Sequence, residues 1–185
     1  SSAASDVYKR QEMWEELFSI EQYVEMALQF SRLSAKSTDF VIGEVSLDKV
    51  VREAIHKYAR LFVRKKIKME LSSIDTQVLT DEKWLEFVIE QILSNAIKYT
   101  AGGTISVYLK EEPEQETKEL VIEDTGIGIA PEDLPRIFEK GYTGYNGHAD
   151  KRSTGIGLYL CRKIMRKLSH EITIESEIGV GTKVH

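Results

Sequence analysis

Three short segments of the chain carry polar residues and glycines at spacings that could do chemistry. The first is Asn95-Ala96-Ile97-Lys98-Tyr99. A side-chain amide oxygen can ligate a hard cation, and an ammonium group can neutralise a phosphate. Asn95 and Lys98 are three residues apart in a helical pattern, so they project from nearly the same face. The pair alone is weak evidence, because Asn and Lys on an exposed helix face usually contact only solvent.

The second segment is Asp124-Thr125-Gly126-Ile127-Gly128-Ile129, which directly follows an apolar strand pattern. A carboxylate buried at the end of a strand needs hydrogen-bond donors, and an adenine amino group is one donor that fits. The two glycines leave bare backbone beside this carboxylate. Taken alone, the hexamer fits equally well a simple turn between a strand and a loop.

The third segment is Thr154-Gly155-Ile156-Gly157-Leu158, which leads into a helical pattern. Backbone N–H groups at the start of a helix attract anions, and glycines let a phosphate approach closely. The segment is not a dinucleotide-binding fingerprint, because Leu160 stands at the third glycine position. Pro131 stands at that position after the second segment. The chain also has no Gly-Lys-Ser/Thr run of the Walker type.

The composition excludes several classes of protein. The chain has 185 residues, with 25 basic and 30 acidic side chains, so its formal net charge is −5. This mild acidity gives no support to a nucleic-acid-binding surface, and we expect no nucleic-acid partner. The one cysteine, Cys161, excludes an internal disulfide framework and a cysteine zinc cluster. No apolar run approaches the roughly 20 residues that a membrane helix needs.

The pattern before residue 40 predicts a single long helix over residues 12–36. Met13, Leu17, Ile20, Val24 and Ala27 recur at alternating spacings of four and three, which is a heptad stripe. A helix with such a face needs a partner helix. The first eleven residues are polar and show no period, so we expect residues 1–11 to be a leader that is non-native or disordered.

The remaining residues, 40–185, alternate between helical and strand patterns without a strict β-α-β order. Ser46 is a good N-cap for a helix that runs to the basic residues Arg64, Lys65 and Lys66, and Thr80 or Asp81 caps the next one. A third helix follows Gly157. Strand patterns cover residues 40–45, 67–71, 77–79, 104–109, 120–123, 171–176 and 182–184. This order predicts an α/β sandwich with one mixed sheet covered by helices on one face.

Taken together, the three segments resemble the sequence boxes of the GHKL ATPase superfamily. The Asn helix, the Asp-x-Gly-x-Gly strand end, the Phe of Ile137-Phe138-Glu139-Lys140 and the Gly-x-Gly-Leu helix start stand in the order of the N, G1, F and G2 boxes. Within this superfamily, the chain is similar to the ATP-binding catalytic domain of a bacterial sensor histidine kinase. Residues 141–147 and 153–160 look like the kinases that sense bacitracin and other peptide antibiotics.

The resemblance implies a Bergerat, or GHKL, fold, with a mixed five-stranded sheet packed on three helices. It implies ATP and Mg²⁺ as cofactors, with Asn95 as the metal ligand and Lys98 and Lys140 at the phosphates. Asp124 would accept from the adenine amino group, and Phe138 would anchor a mobile lid. The other cofactor-binding residues that it implies are Tyr99, Gly126, Gly128, Ile129, Thr154, Gly155, Ile156, Gly157, Leu158 and Thr182.

Residues 12–36 are similar to the second helix of the hairpin through which such kinases dimerise and accept phosphate. This similarity favours a histidine kinase over gyrase, chaperone and mismatch-repair relatives. It implies that the partners are a phosphoacceptor-histidine hairpin of the same or a sister chain and a response regulator. It also implies a homodimer in the full-length protein, and a cytoplasmic location for this part of a membrane-bound sensor kinase.

Two departures from the family pattern matter. Gln91 stands one helical turn before Asn95, where ATP-hydrolysing relatives carry a Glu that activates water, and an amide cannot take up that proton. Glu90 is adjacent but rotated by about 100° on the helix, and it stays an alternative base.

The second departure is that the phosphoacceptor box, a His followed by an acidic residue and Pro, is absent. His56, His148, His170 and His185 all lack that context. We therefore expect ATP-dependent phosphoryl transfer to a histidine outside this chain. The alternatives are a nucleotide-gated protein-interaction module and another GHKL-type ATPase without histidine kinase activity.

Overall fold

The computed structural model of the protein describes residues 2–35, 39–110, 117–144 and 153–185. Its internal contacts divide the chain into two compact units, Ser1–Asp39 and Phe40–His185. Among the described residues, no helix combines the length and the apolar composition needed to cross a membrane.

The first unit is built on one helix, α1 (Ser2–Ser34). Residues 2–11, which we expected to be a non-native or disordered leader, are helical in the structure. That they are non-native stays a prediction. Trp14 and Phe18 stack one turn apart, with 5.1 Å between their ring centroids. Four residues of the heptad stripe are more than half exposed: Met13, Leu17, Ile20 and Val24.

The second unit contains the predicted mixed five-stranded sheet. In order along the chain, its strands are β2 (Ile67–Leu71), β4 (Gly103–Lys110), β5 (Glu119–Asp124), β6 (Ile174–Glu177) and β7 (Gly181–Val184). They lie side by side as β2-β4-β5-β7-β6. The pair β2 and β4 is parallel, and the other pairs are antiparallel. A separate antiparallel ribbon joins β1 (Ile42–Ser46) to β3 (Gln77–Asp81).

Three longer helices provide the other layer of the second unit, which confirms the predicted fold class. They are α2 (Leu47–Lys57), α4 (Glu82–Lys98) and α5 (Gly157–Lys167). Alternate residues of β4, Ile105 and Val107, are fully buried, whereas Ser106 and Tyr108, which follow them, are partly exposed. This period of two shows that one face of the sheet packs on the core and the other faces outward.

Helix starts follow the predicted capping residues. The Ser46 side chain accepts a hydrogen bond from the Lys49 N–H at the start of α2. Asp81, the second of the two residues predicted for α4, accepts from the Trp84 N–H at 3.0 Å. The other oxygen of the same carboxylate accepts from the Val41 N–H at 2.7 Å. Asp81 therefore both caps α4 and fixes the chain that enters β1.

In the second unit, most element boundaries lie within two residues of the prediction, and two differ by more. The helix expected from Ser46 to the basic residues is divided at Tyr58 into α2 and a short α3 (Ala59–Arg64). The Tyr58 N–H donates to the Ile55 carbonyl three residues back, which tightens the last turn of α2. The strand expected over residues 171–176 begins at Ile174, although Thr173 already exchanges two backbone hydrogen bonds with His185.

Candidate functional site

Asp124 lies at the carboxyl end of β5, in the middle of the five-stranded sheet. Its side chain is buried, with 8 % of the residue exposed. The Gly126 N–H donates to its Oδ1 at 2.8 Å, and the Thr182 backbone of the neighbouring strand β7 also bonds to it. Burial raises the pKa of Asp124, and these two backbone donors partly oppose that shift. The site thus contains a buried carboxylate with acceptor capacity to spare.

Gly126 is enclosed so tightly that no side chain fits at this position. A Cβ there would lie 2.4 Å from the Tyr99 carbonyl oxygen and 2.8 Å from the Asp124 carboxylate. The next residue, Ile127, donates its N–H to the same Tyr99 carbonyl at 3.1 Å. The loop after β5 is therefore held against the end of α4, so the first and second predicted segments lie together.

The hairpin of β6 and β7 closes the other side of this loop. Gly128 has a φ of +75°, and a Cβ there would lie 2.1 Å from the Glu177 carbonyl oxygen. The Ile129 N–H donates to the Ser176 Oγ at 2.8 Å, and the same Oγ lies 2.8 Å from the Thr182 hydroxyl. The structure thus brings the predicted residues Gly128, Ile129 and Thr182 together at one end of strands β5, β6 and β7.

Asn95 and Lys98 lie at the last turn of α4, as predicted. Asn95 is partly exposed. The Lys98 ammonium donates to the Ser153 hydroxyl and lies 5.2 Å from the centroid of the Tyr99 ring. Lys98 is therefore directed towards Ser153, which lies 55 residues further along the chain and directly precedes the third segment.

The third segment, Thr154–Leu158, is hydrogen-bonded to Gly141. The Gly141 N–H donates to the Gly155 carbonyl at 2.8 Å, and a Cβ on Gly155 would lie 2.4 Å from the Gly141 carbonyl carbon. Gly155 has a φ of +65°, Thr154 and Ile156 flank it, and α5 begins at Gly157 with Leu158 in its first turn. Residues 145–152, which include His148 and part of the predicted lid, lie outside the described residues.

Phe138 lies against helix α5. The guanidinium carbon of Arg162 is 5.0 Å from the centroid of its ring, within the range of a cation–π contact. Lys140, two residues further on, is exposed. The order Phe138, Lys140, Gly141 places the F segment next to the hydrogen bond that joins Gly141 to Gly155.

Glu90 and Gln91 are both buried on α4, each with 6 % of the residue exposed. The Glu90 carboxylate accepts from the Lys57 ammonium of α2 at 2.5 Å. Glu90 is therefore engaged in an ion pair between two helices, which disfavours its role as a catalytic base. The catalytic roles of both residues stay untested.

The three described histidines lie apart from one another in different settings. His56 is exposed near the end of α2, and the His170 ring lies 3.0 Å from the Thr80 hydroxyl. The His185 ring contacts Glu119.

A known protein family matches the part of the chain that contains this site. The family described as histidine kinase-, DNA gyrase B-, and HSP90-like ATPase matches residues 80–185. The chain belongs to this ATPase family. The matched region contains the Asn95 helix end, the Asp124 strand end, the Gly155 loop and the closing β6–β7 hairpin.

Several relatives within the ATPase family are sensor kinases. The sensor histidine kinase YxdK of Bacillus subtilis (strain 168) is 38 % identical over 91 % of this chain and 52 % of its own length. The sensor protein BceS of the same strain is 35 % identical over 90 % of this chain and 49 % of its own. The sensor protein kinase GraS of Staphylococcus aureus (strain MRSA252) is 32 % identical over 95 % of this chain and 51 % of its own. The chain thus spans about half the length of these relatives.

Solved structures of histidine kinases share the fold. Full-length ShkA in complex with AMPPNP superposes with a TM-score of 0.74 at 22 % identity, over 91 % of this chain and 35 % of that one. The catalytic domain of histidine kinase ThkA superposes with a TM-score of 0.66 at 22 % identity, over 78 % and 93 %. At these identities the likeness establishes the fold alone.

The structure adds three residues that the family pattern did not point to. Ser153 binds Lys98, Arg162 contacts Phe138, and Ser176 joins Ile129 to Thr182. Ser153 is 55 residues from Lys98 and Ser176 is 47 residues from Ile129, and Ser and Arg are common surface residues. No local signal in the sequence could therefore have singled them out.

Proposed function

We propose that the chain is the ATP-binding catalytic domain of a two-component sensor histidine kinase, which donates the γ-phosphoryl group of ATP to a histidine outside this chain. The observation that carries the proposal is the buried Asp124 carboxylate beside the enclosed Gly126, next to the Asn95 end of α4. Membership of the ATPase family and the similarity to sensor kinases support it.

The residues present fit a magnesium nucleotide. Asn95 offers an amide oxygen, and oxygen is the ligand atom that Mg²⁺ prefers. Among the described residues, no group of three or more His, Cys, Asp or Glu side chains could hold a metal ion. Asn95 would therefore share the ion with phosphate and water oxygens. When bound, Mg²⁺ would neutralise part of the phosphate charge.

The chain's own residues would mainly position the nucleotide and balance its charge. Asp124 would accept from the adenine amino group, with Gly126, Gly128 and Ile129 in the loop that follows it. Tyr99 would line the site beside Lys98, and Thr182 would support Asp124. The glycines of the segment Thr154–Leu158 would let phosphate oxygens approach the start of α5, with Lys98 and Lys140 as cations and Phe138 as the anchor of the lid.

The amide at Gln91 fits a kinase better than a hydrolase, because it cannot take a proton from water. In the kinase that we propose, the nucleophile is a histidine rather than water. The ion pair between Glu90 and Lys57 also draws that carboxylate towards α2.

Substitution of Asp124 tests the nucleotide site. Asp124→Asn replaces one acceptor oxygen by a donor group, so we expect ADP affinity to fall by roughly tenfold or more in titration calorimetry. Asp75→Asn is the matched control, because it makes the same chemical change at an exposed aspartate outside the candidate site. Equal affinities of Asp124→Asn and the wild-type chain would overturn the adenine assignment.

The wider assembly is also part of the proposal. Residues 12–36 would be the second helix of a dimerisation and phosphotransfer hairpin, and the exposed stripe of α1 supports this because it needs a partner. The partners would be the phosphoacceptor hairpin and a response regulator, in a homodimeric, membrane-bound sensor kinase with this part in the cytoplasm. The resemblance to bacitracin-sensing kinases stays a prediction.

A further inference from the structure

Thr100, the residue after Tyr99 at the end of α4, is fully buried. Its hydroxyl has no hydrogen-bond partner among the residues that the structure describes. Buried hydroxyls almost always have a partner, because leaving the donor unused is unfavourable. A fully buried, unpartnered threonine hydroxyl beside a proposed binding site therefore needs an explanation.

The hydroxyl faces Asp124 across Gly126. A Cβ placed on Gly126 would lie 2.9 Å from the Thr100 Oγ1 and 2.8 Å from the Asp124 Oδ1. Both oxygens thus pack against the same side of Gly126, within 3 Å of the point where a side chain would begin. One is a hydroxyl with an unused hydrogen, and the other is a carboxylate that can accept several hydrogen bonds.

The groups around Asp124 provide fewer hydrogen-bond donors than its carboxylate can accept. Strand β7 provides the Thr182 backbone, the loop provides the Gly126 N–H, and β4 provides the apolar Ile105 as its register partner. The charged side chain that acts on Asp124 is Glu123 on the same strand, and its charge and the burial both raise the pKa of Asp124. The Tyr99 carbonyl nearby can only accept.

We propose that Thr100 is a positioning residue for Asp124, whose hydroxyl donates a hydrogen bond to that carboxylate, directly or through one water molecule, and holds it as an ionised acceptor. This inference rests on the proposed function, because it assigns Asp124 to the nucleotide. Thr100 would not contact the nucleotide itself. Its effect would be to keep Asp124 able to accept at lower pH than burial alone would permit.

Three variants of the full chain test this proposal. Thr100→Val removes the hydroxyl with little change in shape, Thr100→Cys keeps only a weak donor, and Thr100→Ser keeps the hydroxyl. ADP affinity is measured by calorimetry from pH 5 to pH 8, after thermal unfolding has shown that each variant folds. Protonation of the ADP phosphates is common to all the proteins, so it cancels in the comparison.

We expect Thr100→Val to bind ADP roughly tenfold more weakly than the wild type at acidic pH, with a smaller loss at pH 8. The reason is that without the hydroxyl, Asp124 takes up a proton at a higher pH. Thr100→Ser should follow the wild-type profile, and Thr100→Cys should lie between the two. A loss of the same factor at every pH, no loss, or an equal loss in Thr100→Ser would overturn the proposal.

Failure of the proposed function can be told apart from failure of this inference. If the wild-type chain does not bind ADP at all, the nucleotide site is wrong. The Thr100 contact is then measured without nucleotide, from the carboxyl carbon resonance of Asp124 during a pH titration. The hydroxyl contact predicts a higher Asp124 pKa in Thr100→Val than in the wild type, and equal pKa values would overturn it.

Discussion

At the residue scale, the site depends on the absence of a side chain at Gly126. This glycine does not have a positive φ, so its backbone conformation is open to any residue. What excludes a side chain is the space, because three oxygen atoms lie within 3 Å of the place where a Cβ would stand. Two of them belong to Tyr99 and Asp124, which the proposed function places at the nucleotide.

Gly126→Ala should therefore damage the site more than the fold. The added methyl group must displace the Tyr99 carbonyl or the Asp124 carboxylate, at a cost of about 1–3 kcal/mol. We expect ADP affinity to fall by roughly tenfold or more in calorimetry. Gly43→Ala is the control, because nothing lies within 4 Å of a Cβ at that position. Normal affinity of Gly126→Ala would contradict this account.

The sequence pointed to the residues of the candidate site but not to how they contact one another. Asp124, Gly126 and Gly128 stood out as a strand end followed by two glycines, and the order of the boxes in the family gave them their expected roles. The hydrogen bond from Lys98 to Ser153 and the burial of Thr100 could not be predicted. They depend on how distant segments pack, and neither residue type has a strong preference for such a position.

At the element scale, the contact between α2 and α4 contains a polar pair within an apolar interface. The Lys57 ammonium lies 2.5 Å from the Glu90 carboxylate, and the Glu90 side chain is only 8 % exposed. Removing one partner of such a pair leaves a buried charge without compensation, which costs more than the pair itself contributes. The pair therefore fixes how the helix that carries Asn95 lies against α2.

Lys57→Met should lower the free energy of unfolding by about 1–3 kcal/mol, measured by urea denaturation. Combining Lys57→Met with Glu90→Leu should recover most of the lost free energy of unfolding, because the unpaired buried carboxylate is then removed. Lys49→Met is the matched control: its ion pair with Glu82 is 2.8 Å long, but the two side chains are 59 % and 43 % exposed. The loss for Lys49→Met should be clearly smaller than for Lys57→Met, because water screens an exposed ion pair. Equal costs for the two lysines would contradict the structural role of Lys57.

Element order was predictable because its signals are local. Ser46 and Asp81 cap α2 and α4, the alternation of apolar residues marks β4, and a short apolar run marks β5. The division of the predicted second helix at Tyr58 was not predictable in the same way. Its apolar residues continue with helical spacing past that point, and the break shows only in the structure, in the hydrogen bond from Tyr58 to Ile55 and in the non-helical backbone of Tyr58.

At the scale of the whole molecule, the two units have different roles in the proposed kinase. The unit Phe40–His185 has the fold of a histidine kinase catalytic domain and carries the proposed nucleotide site. The unit Ser1–Asp39 offers a helix with an exposed apolar stripe. The histidine that accepts the phosphoryl group would come from outside the chain, because neither His56, His170 nor His185 has the expected context.

The most direct test of this account is phosphoryl transfer from ATP labelled at the γ-position. The chain is mixed with Mg²⁺, labelled ATP and a separate hairpin fragment that carries the phosphoacceptor histidine of the same kinase, with Asn95→Ala as the inactive control. We expect an acid-labile, base-stable phosphate on the fragment, none on the chain itself, and none with Asn95→Ala. ATP binding without transfer to the fragment would contradict the kinase and support a nucleotide-gated interaction module, and label on the chain's own histidines would contradict the external acceptor.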